Sequence, residues 1–163
     1  MLSHYDSYLK EEFFISQPTK KFGKWGTNMA RCGVEVALRL VKPGGFCSIV
    51  SPASLLSDQV SERFRNWIFE NYSIFEIDYY AAEAKLFGSA DIASITMLIQ
   101  AVNDQTDITL RLFDNSLNCR KHHLDSAEYE YIKRNNYVIP FEAGIDLLPL
   151  LTALENMPVL EHF

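Results

Sequence analysis

Three places in this sequence combine residue types that can do chemistry. Thr19-Lys20-Lys21-Phe22-Gly23-Lys24-Trp25 is the stretch in which cations interleave with aromatic rings. Lys20, Lys21 and Lys24 can hold phosphates while Trp25 offers a face for a base to stack on. Short lysine clusters also occur on plain solvated loops, so the residues alone leave both readings open. The second place is Lys85-Leu86-Phe87-Gly88-Ser89, where the following Gly and Ser favour a loop position for the Phe87 ring, just ahead of a β-rich run; an ordinary core phenylalanine is the competing reading. The third is Cys119 with His122 and His123. No fourth ligand follows at zinc spacing, and adjacent histidines point apart on most backbones, so no metal is expected.

These residues hang on one helix–turn–strand unit, Asn28 to Ser54. Val34, Leu38 and Val41 recur at helical spacing, while Arg31, Glu35 and Arg39 take the opposite face. Asn28 stands where an N-cap belongs. Pro43 cannot extend the helix, and Gly44 or Gly45 can take the positive φ that turns the chain back. Phe46 to Ser51 is a short apolar run without strict alternation, as expected of a strand covered on both faces. Beyond it, Ser57 or Asp58 is expected to cap a helix carrying Val60, Phe64, Trp67 and Ile68. Ile74 to Tyr80 reads as a strand parallel to the first, and Ile92 to Gln100 as a further strand. Ile108 to Phe113 alternates with period two and is expected to pair back on the strand before it as the sheet's half-exposed edge. Tyr5 to Ile15, Ser126 to Asn135 and Leu147 to Asn156 read as helices.

At 163 residues and 48% hydrophobic content the chain has the size of one domain with a real core. A net charge of −6 argues against a free-standing nucleic-acid binder, although a local basic patch remains compatible with it. The three cysteines are widely spaced and imply no disulfide framework. The N-terminus carries charge where a signal peptide needs an apolar core, and the longest nearly apolar run, residues 92–102, is far short of a membrane span, so a cytoplasmic location is expected.

Leu40-Val41-Lys42-Pro43-Gly44-Gly45, the apolar strand after it and Ser51-Pro52-Ala53-Ser54-Leu55-Leu56 resemble the later half of the catalytic domain of adenine-specific DNA methyltransferases from restriction-modification systems. In that family a phrase of the form Val/Leu-Phe-x-x-x-x-Val-x-Thr/Ser follows at the distance where Leu86-Phe87 and Ile92-Ala93-Ser94 stand here. It leads into an antiparallel strand inserted beside the one before it. Met157-Pro158-Val159-Leu160-Glu161-His162-Phe163 is similar to the segment with which such enzymes pass into a DNA-recognition domain.

The resemblance implies an α/β fold: a partial Rossmann-like methyltransferase sheet, mixed parallel and antiparallel, with flanking helices. It divides a single domain, 1–163, into a post-catalytic loop region (1–27), a half-sheet (28–113) and a helical connection (114–163). The implied reaction is methyl transfer from S-adenosyl-L-methionine to the exocyclic amino group of adenine in DNA. Phe87 is implied to pack on the flipped base, and Lys20, Lys21, Lys24 and Trp25 to lie near the DNA. Asn28 matches the start of a pattern close to Asn-Leu-Tyr-x-x-Phe whose final aromatic borders the cofactor; Gly33 stands in that last place, so only Asn28 carries over.

No Asn-Pro-Pro or Asp-Pro-Pro occurs in the chain, nor a Gly-rich first βα turn. The family's catalytic tetrapeptide and cofactor motifs are therefore expected before Met1, in an N-terminal cofactor-binding portion that would be this chain's partner. The isolated chain is expected to bind no S-adenosylmethionine and to be inactive, and its unpartnered edge makes a homodimer plausible. The rival from another class is a truncated, non-catalytic methyltransferase-like module that serves as an interaction surface. A small nucleotide binder is disfavoured by the missing Gly-rich turn.

Overall fold

The computed structural model describes residues 2–19, 27–86, 91–104 and 107–155. The elements are α1 (Leu2–Glu12), α2 (Met29–Leu40), β1 (Phe46–Pro52), α3 (Ser54–Ser57), α4 (Glu62–Asn71), β2 (Ser73–Tyr80), β3 (Ser94–Gln100), β4 (Thr109–Phe113), β5 (Cys119–His123), α5 (Ser126–Arg134) and α6 (Ala143–Glu155). They form a mixed α/β fold around one five-stranded sheet, in the order β1-β3-β2-β4-β5. None of the described helices is long and apolar enough to cross a membrane.

The α2–β1 unit forms as its sequence dictates, with one change in the role of glycine. Asn28 caps α2 through its side chain, whose Oδ1 accepts the Ala30 N–H at 2.8 Å. The helix ends at Leu40 with Val41 already extended. Gly44, at φ +75°, then takes the third position of a tight turn closed by the Gly45 N–H on the Lys42 carbonyl at 2.8 Å. Pro43 before it supplies the fixed φ of the second position. A side chain at Gly45 would meet the Lys42 oxygen at 2.9 Å, so both glycines serve the turn rather than the helix end.

β3 runs antiparallel to both β1 and β2 and lies between them, so β1 and β2 point the same way without touching. This is the inserted antiparallel strand that the 86–94 spacing implied. β4 corrects the sequence reading. It pairs in parallel with β2, Glu76 opposite Thr109 through Tyr80 opposite Phe113, rather than with β3. Both sides of β3 are already occupied, so no edge is left there for β4 to use. Nor does the sheet end at Phe113: β5 pairs antiparallel with β4 and forms the edge.

The core lies on one face of the sheet. Ile74, Ile77 and Tyr79 of β2, Ile95, Met97 and Ile99 of β3 and Leu110 and Leu112 of β4 are buried there. They join Val34 and Leu38 of α2, Leu55 and Leu56 of α3, Phe64 and Ile68 of α4, Ile132 of α5 and Ile145 and Leu148 of α6 in one cluster. The expectation that β1 is covered on both faces fails. Phe46 is 61% and Val50 52% exposed, and Leu98, paired opposite Ser48, is 36% exposed. The helix residues just named all pack in the core on the other face, so this end of the sheet has a covered side and an open one.

Two details of the helices also differ from the periodicity. In the polar stripe of α2, Arg31 and Glu35 are buried while Arg39 stays exposed: the Ser16 N–H and hydroxyl both donate to Glu35 Oε2, at 3.1 and 2.5 Å, and Arg31 Nε donates to the Ser16 carbonyl at 2.9 Å. The turn after α1 covers Arg31 and Glu35 and supplies these partners. Further on, α4 starts at Glu62, not at Ser57 or Asp58, because α3 intervenes; Asp58 instead accepts the Ser61 N–H at 2.7 Å, and Val60 precedes the helix. Arg65 of α4, 1% exposed, bonds the carbonyls of Asn136 (3.0 Å) and Asp58, tying the α3–α4 connection to the turn after α5. Burial pulls its pKa down from the ordinary arginine value.

Candidate functional site

In open α/β sheets ligands bind beyond the carboxyl ends of the parallel strands, where topology leaves a crevice. Here that edge holds the ends of β1, β2 and β4, and two cavities open on it. The larger, about 610 Å³, lies between Ala53 and Ser54 after β1, Asp91 to Ala93 before β3, and Val138 to Glu142. The smaller, about 480 Å³, lies between Ala81 and Glu83 after β2, Phe113 to Asn115 after β4, and Arg120. Both volumes suit a small ligand, for which roughly 300–1,000 Å³ is usual. Tyr79 and Glu142 line both cavities and form the wall between them.

That wall is assembled from distant parts of the sequence. The Tyr79 ring stacks on Phe141 with centroids 4.6 Å apart and planes at 17°. Its hydroxyl donates to Glu142 Oε1. Burial first, and then the adjoining Glu142 carboxylate, push the Tyr79 hydroxyl well above the ordinary tyrosine value, so it stays a donor at any working pH. The 138–142 segment is fastened to α3 by the Ile139 N–H on the Leu56 carbonyl, at 3.0 Å. Glu142 takes φ +58°, a left-handed conformation that residues with a Cβ seldom adopt.

On the open face of the same strand end, Tyr80 stacks on Phe113 at 4.7 Å and 11°. Beneath them the buried Asp78 accepts two bonds from Arg111, at 2.6 and 2.7 Å, and one from the Thr96 hydroxyl at 2.9 Å. Arg111 also reaches Glu76 at 2.5 Å. These bonds, Asp78 foremost, raise the Arg111 pKa and hold it charged. The group ties β2, β3 and β4 together across the sheet.

The residues singled out in the sequence fare differently. Phe87 lies outside the described residues; the flanking Leu86 and Asp91 are described, and Asp91 lines the larger cavity. Lys20, Lys21, Lys24 and Trp25 also lie outside them. On either side of that stretch, the Thr27 hydroxyl donates to Gln17 Oε1 at 2.8 Å. Asn28 is exposed and spends its side chain on the helix cap. The Cys119, His122 and His123 trio is split by the strand pleat, which puts His122 on the face opposite the other two. His122 Nε2 meets Glu128 Oε2 at 2.9 Å, and His123 Nδ1 meets the Thr109 hydroxyl at 3.0 Å.

Tyr79, Phe141 and Glu142 were not foreseen. Tyr79 reads as one more in-facing strand residue, and Pro140-Phe141-Glu142 as a connection between helices. No periodicity marks a loop that folds back across a sheet end. Of the described glycines, at 33, 44, 45 and 144, only Gly144 lies near the cavities, against Pro140, and it stands alone. The described residues therefore offer no Gly-rich cradle for a nucleotide cofactor.

No family model and no curated protein matches the sequence. Solved structures do match the fold. The M protein of the type I restriction enzyme EcoKI (M.EcoKI, EC 2.1.1.72) aligns with a TM-score of 0.57 at 9% identity, over 80% of this chain and 42% of that one. A chain of a type I R-M system, solved for its complex assembly and conformational transition, aligns at 0.58 and 10% identity, over 86% and 40%. The type IIG restriction endonuclease BpuSI aligns at 0.54 and 18% identity, over 70% and 16%. The neighbours are restriction-modification proteins, methyltransferases among them, and the likeness is one of fold. This chain spans less than half of each.

Proposed function

We propose that this chain is the C-terminal part of the catalytic domain of an S-adenosylmethionine-dependent DNA methyltransferase of the restriction-modification type, acting on the exocyclic amino group of adenine. The observation that carries the reading is the insertion of antiparallel β3 between the parallel β1 and β2, reached through the Leu86-Phe87…Ser94 spacing of that family. The fold likeness to M.EcoKI over 80% of the chain supports it. On this reading the uncharged edge of β1, unpaired among the described residues and with the exposed Phe46 and Val50 beside it, receives the N-terminal portion that brings the cofactor and the catalytic tetrapeptide. Without that portion, two copies of the chain can pair there instead. The parts 1–27, 28–113 and 114–163 then follow the catalytic loop, supply four of the five strands, and add the edge strand β5 before leading towards DNA recognition.

Within the intact enzyme, Phe87 stacks on the flipped adenine and Lys20, Lys21, Lys24 and Trp25 hold the DNA. Replacing Phe87 by Ala removes stacking worth roughly 1–3 kcal/mol, so turnover and base-flipping fluorescence fall while the melting temperature holds. A large loss of melting temperature with base flipping preserved would return Phe87 to the core. The triple Lys→Ala variant lowers the salt slope of DNA binding by about one unit per lost phosphate contact, and an unchanged slope would return that stretch to plain surface. The chain by itself neither binds S-adenosylmethionine at micromolar concentration nor methylates DNA. Calorimetry on the purified chain and the codons upstream test this together: an Asn/Asp-Pro-Pro-aromatic loop is expected in frame or in a neighbouring gene, and its absence from both would contradict the enzyme reading.

A further inference from the structure

We propose that Glu142 selects the nucleobase: its carboxylate, fixed by the Tyr79 hydroxyl on the wall of the larger cavity, accepts a hydrogen bond from the exocyclic amino group of a base lodged against Phe141. The identity of the ligand as a base rests on the methyltransferase reading. The residue and its role come from the cavity itself.

The wall carrying Glu142 belongs to neither the half-sheet nor its helices. It arrives after α5, crosses the ends of the strands, and is fastened there by the Ile139–Leu56 bond and the Tyr79–Phe141 stack. Glu142 holds a left-handed backbone at the point where its side chain meets Tyr79. Strain of this kind survives only where surrounding contacts over-determine it, and it concentrates at functional sites.

The chemistry of the wall is specific. An ionised carboxylate only accepts hydrogen bonds, and Tyr79 engages Oε1 alone, so among the described residues Oε2 is left without a donor. The raised pKa of Tyr79 keeps its proton in place and so keeps the carboxylate oriented. Adenine, cytosine and guanine each carry an exocyclic amino group that can donate to Oε2; thymine carries none. Phe141, Ile92 and Ala93 give the cavity apolar surface for the ring. Asp91 is the second carboxylate of this cavity, exposed at its lip and held by no hydrogen bond among the described residues, so it has no fixed direction in which to select.

The test is an NMR titration of the 163-residue chain with 2′-deoxyadenosine, 2′-deoxycytidine and thymidine at millimolar concentrations. Amide shifts are expected at Ala53, Ala93 and Phe141, with thymidine binding about tenfold or more weakly, the range for losing a hydrogen bond to a charged group. Glu142→Ala should bring the three nucleosides to the same affinity. Tyr79→Phe, which keeps the ring stack, should narrow the preference while the rest of the spectrum stays native. Equal binding of thymidine by the unaltered chain, an undiminished preference in Glu142→Ala, loss of the preference in Asp91→Asn, or no shifts confined to the cavity would each overturn the assignment. The two readings fail separately. Methylation by an intact enzyme whose Glu142→Ala variant keeps its base preference removes Glu142 and leaves the methyltransferase. Base discrimination by the chain, with no methylation by any complete gene product, does the reverse.

Discussion

The two edges of the sheet are built in opposite ways. β5, Cys-Arg-Lys-His-His, carries four basic side chains in five residues, and all but His122 are exposed. β1, Phe-Cys-Ser-Ile-Val-Ser-Pro, carries no charge and exposes Phe46 and Val50. A strand edge presents unpaired backbone groups, and proteins protect such edges with charge, above all lysine. β5 has that protection and β1 lacks it. The open face of the sheet lies at the β1 end as well, where Phe46 and Phe75 make a tilted aromatic pair at 5.9 Å. A charged edge is where a sheet stops. An uncharged edge beside an uncovered face is, on the proposed reading, where this one continues into the N-terminal portion.

The largest effect is expected at the centre, on which both edges depend. Ile77 and Ile95 are wholly buried on neighbouring strands. Truncating either to Ala should cost about 2–5 kcal/mol, read as a lower urea midpoint at unchanged slope. A cost under about 1 kcal/mol would show that the centre is not packed as described.

The edges themselves should separate stability from association. Val50→Lys gives β1 the protection that β5 already has. It should abolish self-association in sedimentation and pairing with an added N-terminal portion, and shift stability by only about 0.5 kcal/mol, as surface changes usually do. The opposite exchange, Lys121→Val with His123→Val, should leave the fold in place and make the β5 edge adhesive. Self-association that survives Val50→Lys would move the open surface away from β1.

The comparison also explains what could be read from the sequence. The α2–turn–β1 unit was legible because local chemistry specifies it: Asn28 caps, Pro43 and Gly44 turn, and Val34 and Leu38 recur at helical spacing. β3 was read as an antiparallel strand beside β2 only through the resemblance carried by Leu86-Phe87 and Ser94, and that it also pairs with β1 is seen only in the structure. The position of β4 was not legible, since period-two alternation fixes which side chains face the core but not which strand is the neighbour. β5 was missed because its protective charges look like ligands or solvated surface, with none of the apolar alternation of a strand. At the candidate site, Tyr79 and Glu142 stand 63 residues apart and meet only because residues 138–142 return across the sheet end.

The central claim is that the sheet described here completes a DNA methyltransferase. The most direct measurement is transfer of label from tritiated S-adenosylmethionine to plasmid DNA, by this chain together with the proposed N-terminal portion, followed by nucleoside analysis. The account predicts label in N6-methyladenine with the combined protein and none with the chain alone. Label in a ring-carbon methyl group, or no transfer by the combined and demonstrably folded protein, would contradict it.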